Sequence, residues 1–386
     1  MLQVPPLSLY VHLPWCAKKC PYCDFNAHAL RGRLPEKAYI DQLLKDFLQD
    51  LPRVQGREII SLFFGGGTPS LFSPEAFNDL LSTLRTYLPF SPEIEITLEA
   101  NPGTMEKKMA RGSFLAYRQA GINRISLGVQ SFSSPQLALL GRIHDAEAAV
   151  SALEEIQNAG FKNYNVDLMH GLPEQSVETA IADLETAIHF GVPHISWYQL
   201  TLEPHTLFAV RPPVLPSEDV LAAIEASGFE CLQKAGYARY EISAFAKSEA
   251  QQSVHNRNYW TFGDYLGIGA GAHAKITDLE TQSIHRCFKL KHPKAYLAAN
   301  TTFIQEAHVL KPESLPLEFM LNALRLSAGV SITLFESRTG LSWSGLQGRI
   351  QQGIDRDLLE YREGKRLIAA TPLGLRFLNE LLLIFS

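Results

Sequence analysis

Three of the five cysteines fall within eight residues, as Cys16, Cys20 and Cys23 of VHLPWCAKKCPYCDFNAH (residues 11–28). A C-x3-C-x2-C loop can wrap one compact soft centre. An odd number of thiols suits a disulfide badly. A structural zinc takes four ligands, and His28 is the candidate fourth. An iron–sulfur cluster suits thiolates best. Three thiolates on a [4Fe–4S] cube leave one iron without a protein ligand, open to a chelating small molecule. A second run, Gly65-Gly66-Gly67-Thr68-Pro69, lacks the Cβ atoms that would keep a ligand away from the backbone.

The pattern along the chain places these groups. Strands are expected at Leu7–Leu13, Ile59–Phe64, Glu93–Glu99, Arg124–Val129, Asn163–Leu168 and His194–Leu200. Helices are expected between them, among them one ending at Ala120, Asp145–Ala159 and Ser176–Phe190, several stopped by glycine. Six strand–helix units in a row imply a parallel α/β sheet with right-handed crossovers. Six falls short of a closed barrel of eight, so a partial (β/α)6, TIM-like barrel is expected, with a doubly wound sheet as the alternative. In either, chemistry sits where strands end. Each expected strand delivers small or polar groups there: the cysteines, the glycines, Glu99 and Asn101, Gln130, Asp167, then Tyr198, Gln199 and Thr201.

A helix at Ser217–Gly236 and a strand at Ala238–Ile242 follow. Beyond about Pro312 the pattern turns helical (Leu317–Leu326, Thr333–Thr339, Gly345–Glu363), then gives a strand–turn pair in RLIAATPLGL and a last helix. The division is residues 1–245 as barrel, 246–311 as a connecting region, and 312–386 as a small helical, winged-helix-like domain, expected to act as a lid or partner surface over the barrel mouth. Net charge is −5, and residues 301–386 carry nine residues of each sign, so nucleic acid is not an expected partner. No run of eighteen apolar residues suggests a transmembrane segment. The first ten residues hold no Lys or Arg, unlike a secretory signal. A cytoplasmic protein is expected, with cysteines used for ligation or catalysis.

The cysteine spacing, with Tyr22 just before the third thiol, resembles the radical S-adenosylmethionine (SAM) superfamily. That resemblance implies a [4Fe–4S] cluster whose open iron binds the amine and carboxylate of SAM, and an electron that breaks the SAM C–S bond. In order, YVHLPWC, GGGTP, GVQSF and VDLMHGLP resemble the family of oxygen-independent coproporphyrinogen III oxidase and its haem-chaperone relative HemW, across essentially the whole chain. The resemblance implies SAM contacts at Tyr10, Tyr22, Gly66, Gly67, Thr68, Glu99, Gln130, Arg142, Asp167 and Thr201. The alternative for Glu99, Arg142 and Asp167 is a structural ion-pair network.

Two functions of porphyrin metabolism follow from the likeness. One is radical decarboxylation of coproporphyrinogen III. The other is binding haem and handing it to haem-requiring proteins such as respiratory oxidases, with a reductant protein as a further partner. The oxidase pattern has a fourth cysteine where this chain has Phe25, and a longer segment before the cluster where this chain has nine residues before Tyr10. Both departures favour the chaperone. The run His255-Asn256-Arg257-Asn258-Tyr259-Trp260 resembles the stretch linked to haem in HemW. It offers an imidazole as axial ligand, with Tyr259 and Trp260 as aromatic area; the alternative for His255 is a satisfied turn residue. His273 and Cys287 are further candidates, and Cys231 reads as a small apolar residue. GIGAGAHA (Gly267–Ala274) matches G-x-G-x-x-A, but no acid follows about twenty residues on. It reads as a glycine-rich edge of the same cavity.

Overall fold

The structure, a computed structural model, describes residues 1–54, 56–106, 112–364 and 366–386. Six strands, β1 (Leu7–Leu13), β2 (Ile59–Gly66), β3 (Phe90–Ala100), β4 (Arg124–Gln130), β5 (Asn163–His170) and β6 (His194–Gln199), lie side by side in chain order. All five pairings are parallel. A doubly wound sheet reverses its strand order at a switch point. This order never reverses, and the sheet does not close, so the six units form an open, partial barrel.

Register follows from alternation. Leu9 pairs with Leu62, Leu62 with Ile96, Leu98 with Ile125, Val166 with Ile195 and Leu168 with Trp197. These apolar residues point outward and pack in the main core under helices α1 (Glu36–Asp50), α2 (Pro74–Tyr87), α3 (Phe114–Gln119), α4 (Ala146–Asn158), α5 (Val177–His189) and α6 (Glu218–Lys234). Side chains cap several of these helices: Ser73, Asp145, Ser176 and Ser217 each accept a hydrogen bond from an N–H of the first turn. The alternate residues face inward and are polar: Glu99 lies opposite Ser126, Ser126 opposite Asn165, Asn165 opposite His194 and Asp167 opposite Ser196.

The sheet extends past both ends of this set. β7 (Ala238–Arg239) and β8 (Ala244–Ala246) pair antiparallel, β8 against β6. On the other edge, β9 (Asp264–Ile268) runs parallel to β1, and β10 (His273–Asp278), β11 (Ser283–Lys289) and β12 (Ile304–Val309) follow antiparallel. Among the described residues the sheet thus has twelve strands. The stretch that reads as a connecting region supplies four of them. Helix α7 (Val254–Trp260) precedes them.

The C-terminal part carries α8 (Leu315–Ala323), α9 (Ile332–Thr339), α10 (Gln347–Asp355) and α11 (Leu378–Leu383), with a three-stranded sheet of β13 (Val330–Ser331), β15 (Leu367–Ala370) and β14 (Leu359–Arg362). This is a winged-helix-like arrangement. The helix expected over Gly345–Glu363 ends at Asp355, because Asp357 takes a left-handed φ of 55° and the chain then pairs as β14. The strand expected at Ala238–Ile242 is only two residues long, and the helix expected up to Ala120 crosses residues 107–111, outside the described residues.

The C-terminal core includes Leu2, Phe262 and Ile284 from the barrel side. Ser327 N–H donates to the Tyr240 carbonyl, and Arg325 lies over the Trp260 ring at 4.4 Å. These contacts sit at the end where the barrel strands begin, opposite the cysteines. A lid over the mouth is therefore not what this unit forms.

Candidate functional site

At the strand C-termini, the cysteine loop closes on itself. Trp15–Cys16 pairs with His28–Ala29, and the Cys23 N–H donates to the Cys20 carbonyl at 3.2 Å. The glycine loop lies along its start: Gly67 N–H donates to Leu13 O at 2.8 Å and Thr68 N–H to Trp15 O at 2.7 Å. A Cβ on Gly67 would lie 2.4 Å from the Trp15 carbonyl oxygen, and Gly66 has φ of 121°. Only glycine fits both places.

Cys16, Cys20 and Cys23 line one cavity of about 360 Å³. Tyr22, Gly66, Gly67, Thr68, Glu99, Gln130, Arg142 and Asp167 line it too. Burial pushes the Cys16 thiol up to about 11, with the neighbouring cysteines adding to it; Cys23 is raised mainly by burial. Cys16 and Cys23 therefore favour the thiol form, and binding a cationic centre would release their protons. Among the described residues, no three His, Cys, Asp or Glu converge on the position of a single ion. His28 instead bonds Asn26 at 3.2 Å and packs edge-on against His292.

The charged groups are not an ion-pair network. Arg142 donates to Gly128 O at 2.6 Å and reaches Tyr22 and Cys20 at 3.4 and 3.5 Å, and its Nε has no partner. Glu99 accepts from Gly66 N–H at 3.0 Å, and Asp167 from Asn165 and Ser126. Neither carboxylate forms an ion pair among the described residues. Desolvation, then the charge of Asp167, pushes Glu99 up to about 8; burial raises Asp167 as well. Arg124, which also lines the cavity, acts on Asp167 without forming an ion pair with it, so the cavity presents carboxylates and guanidinium groups that are not paired with one another and can receive a ligand of both signs. Gln130 sits at a β-bulge with φ of 72°, which turns its side chain to accept from Tyr198 at 2.8 Å.

Deeper in the barrel lies a layer that sequence reasoning missed. His194 bridges Asn165 at 2.7 Å and Tyr240 at 2.8 Å, and Ser196 donates to Asn165. Helix α7 plugs the barrel from below. Glu95 accepts from the backbone N–H groups of Val254 and His255 at the helix start. His255 is buried, with Nδ1 on Ser61 at 2.9 Å and Nε2 on Tyr259 at 3.1 Å, and burial pulls it down to about 3. Both ring nitrogens are thus engaged with hydroxyl groups in this arrangement. Trp260 faces the C-terminal unit. Tyr259 reaches a second cavity, of about 480 Å³, which Tyr10, Tyr265, Gly271 and His273 also line. Tyr10 thus lies outside the cysteine cavity, although Phe25, Gly66 and Glu99 wall both.

Thr201 is not brought in: it is exposed and donates to Glu203 at 2.8 Å. Cys287 is buried and accepts from Arg53 at 3.3 Å. Cys231 is half-buried against the main core. In the glycine-rich run, a Cβ on Gly269 would lie 2.4 Å from His12 O, so these glycines serve close backbone packing; Gly271 and His273 edge the second cavity.

The sequence profile described as the Radical SAM superfamily matches residues 10–187, and that described as the HemN C-terminal domain matches residues 310–377. The heme chaperone HemW of Haemophilus influenzae is 49% identical, covering 100% of this chain and 99% of its own. HemW of Escherichia coli is 45% identical with the same coverage. The structure of E. coli coproporphyrinogen III oxidase, HemN, superposes with a TM-score of 0.80 over 99% of this chain and 90% of its own, at 22% identity, a likeness of fold. With full-length identity at this level, the chain belongs to the HemW family of the radical SAM superfamily.

Proposed function

We propose that this protein is a haem chaperone that holds a [4Fe–4S] cluster on Cys16, Cys20 and Cys23 and binds SAM in the cavity they line. One observation carries the cofactor reading: three thiols share a cavity with Glu99 and Asp167, which form no ion pair among the described residues, and with Arg142, which meets no carboxylate among them. SAM brings an ammonium, a sulfonium and a carboxylate, the complement of that set. Gly66, Gly67 and Thr68 would hold its amino acid end, with Tyr22 and Gln130 nearby. Tyr10 would act from behind Gly66 and Glu99. When bound, cluster and SAM supply one-electron cleavage of the C–S bond. The chain's own part is to bind, orient and shield.

Haem as cargo is supported by the name of the full-length relatives, heme chaperone HemW, and by Phe25 standing where the oxidase pattern has a fourth cysteine. Delivery would be to haem-requiring proteins in the cytoplasm or at its membrane, respiratory oxidases among them, with a reductant protein as electron source. No helix among the described residues is long and apolar enough to cross a membrane. The test uses anaerobically reconstituted full chain. Titrated haem is expected to give a saturable Soret band, and coproporphyrinogen III with SAM and reductant to give no protoporphyrinogen. Product formation without a haem band would overturn the reading in favour of the oxidase.

A further inference from the structure

The outer face of the cysteine loop carries a charge opposite to that of the whole chain. Residues 17–33 hold Lys18, Lys19, Arg31 and Arg33 against one acid, Asp24, and residues 290–294 add Lys291 and Lys294. All six cations are exposed. The two segments together are net +5 in a chain of −5, so the remaining residues carry −10.

The fold brings these two distant segments together. Asn26 Nδ2 donates to the Ala270 carbonyl at 2.8 Å and to the Lys291 carbonyl at 2.9 Å. The rings of His28 and His292 meet edge-on at 5.4 Å. Within the loop, Leu30 N–H donates to the Cys16 carbonyl at 2.8 Å, just ahead of Arg31 and Arg33, and Lys19 Nζ donates to the Phe25 carbonyl at 3.0 Å. None of the six cations forms an ion pair among the described residues. Exposed charges of one sign, left unpaired, raise a positive potential over this face. Phe25 stands among them, 64% exposed. An apolar centre inside a charged rim is the anatomy of a protein–protein interface.

The location says what the partner does. Cys20 and Cys23 are partly exposed in this same loop. Electron transfer slows steeply with distance, so a carrier that reduces a centre on these thiols must come close to them. A carrier of negative charge is repelled by the bulk of the chain and attracted at this face. A lipid surface gives no reason for cations to gather round the thiols. Resting on the cofactor reading above, we infer that this face docks an acidic one-electron carrier protein, bearing a flavin or an iron–sulfur centre, and is the port through which the cluster is reduced. One electron leaves the reduced carrier, oxidising it by one step, and enters the cluster; no bond forms or breaks between the two proteins.

The experiment titrates an acidic flavodoxin, and in parallel an acidic plant-type ferredoxin, into the anaerobically reconstituted full chain and reads the heat of binding at about 0.05 M and about 0.5 M salt. The reduced carriers are then mixed with the chain, and bleaching of the cluster absorbance is followed by stopped flow. Photoreduced deazaflavin, small and uncharged, serves as the comparison reductant. Two triple variants carry the same change of charge. Arg31→Glu, Arg33→Glu and Lys294→Glu alter the face without touching residues that line the cysteine cavity. Arg356→Glu, Arg366→Glu and Arg376→Glu are exposed on the C-terminal unit, at the opposite end. The first variant is expected to bind a carrier about tenfold more weakly at the lower salt and to be reduced about tenfold more slowly at limiting carrier. Its iron content and its reduction by deazaflavin should match wild type. The second should stay within about twofold on both readings, and at the higher salt the contrast should shrink to about twofold. Equal binding by wild type and the first variant overturns the inference, as does an equal loss in the second. So does capture by phosphatidylglycerol vesicles without a response to either carrier, which would make the face a lipid site. Should the first variant fail to fold, Arg31→Gln with Arg33→Gln decides in its place, with an expected loss of about threefold. Reconstituted wild type without iron and sulfide sinks the cofactor reading, and this inference with it. A wild type that holds its cluster but docks neither carrier more tightly than the first variant sinks only the inference.

Discussion

The interior of the barrel is polar at two levels, and the levels differ in how their polar groups are satisfied. At the strand ends, Glu99, Asp167 and Arg142 converge on a cavity without pairing with one another. One layer down, Asn165, Ser126, Ser196, His194 and Tyr240 form a continuous hydrogen-bonded chain, and His255, Ser61, Ser8 and Asn258 form another. Both levels bear the cost of desolvating polar atoms. The lower one recovers most of it within the protein, Asn258 Oδ1 excepted, so it stiffens the barrel. The upper one recovers part of it, through Gly66 N–H, Asn165, Ser126 and Gly128 O, but its charges form no ion pair with one another and are left to a ligand. A polar residue inside a barrel is thus a weak sign of function, and one without a partner is a much stronger sign.

The largest break in this contrast comes at the cysteines. Cys16→Ala, Cys20→Ala or Cys23→Ala is expected to abolish cluster incorporation, read as iron and sulfide content after anaerobic reconstitution, while the far-UV circular dichroism of the unloaded chain stays unchanged. A full complement of iron in any of the three would remove the thiols from the site. Next is the lower layer. Asn165→Leu leaves Asp167, His194, Ser126 and Ser196 short of partners, and should cost about 3 kcal/mol of stability in denaturant titrations. Cluster content should survive in the fraction that folds.

The upper level should respond with the opposite sign. Glu99 is held at about 8, above its ordinary 4.5, so the folded chain keeps a proton that the unfolded chain releases between those values. The unloaded protein is therefore expected to lose stability as pH rises from about 4.5 to about 8, and to level off above that. Glu99→Gln, which still offers an oxygen to Gly66 N–H, should flatten this slope and stabilise the unloaded chain at pH 9 by up to about 5 kcal/mol. It should also shrink the rise in melting temperature produced by SAM. A variant less stable than wild type at pH 9 would mean that the carboxylate is satisfied after all.

The site was legible in sequence where it sits at strand ends. The cysteines, the glycines, Glu99, Gln130 and Asp167 all follow from reading each strand at its C-terminus. Arg142 lies in a turn after a short helix, with no periodicity to announce it, and only the likeness to a family pointed there. The lower layer was written in the alternation of N-Y-N-V-D and H-I-S-W-Y, but polar inward faces do not look like the buried side of a strand. Strands β9 to β12 were hidden for a related reason. Lys275 and Lys289 are buried cations, paired with Asp264 and with Asp46 and Asp50 from elsewhere in the chain. Local pattern counts a lysine as surface. The fate of His255 was out of reach, since its setting depends on Glu95 and Ser61, far back in sequence.

The smallest effect is expected at Thr201, and it tests the contrast from the other side. Strand-end logic and family likeness both nominate this residue, yet its hydroxyl bonds the neighbouring Glu203 in solvent and it lines neither cavity. If an unsatisfied group facing the cavity is what marks a ligand contact, Thr201→Ala should change SAM affinity by less than about twofold and stability by no more than about 0.5 kcal/mol. Isothermal titration of SAM into the reconstituted chain reads the first, and thermal denaturation the second. A loss comparable to that of Glu99→Gln would mean that the loop after β6 closes over SAM when it binds. Part of the site would then be assembled by the ligand, and partner counting in the unloaded fold would underestimate its extent.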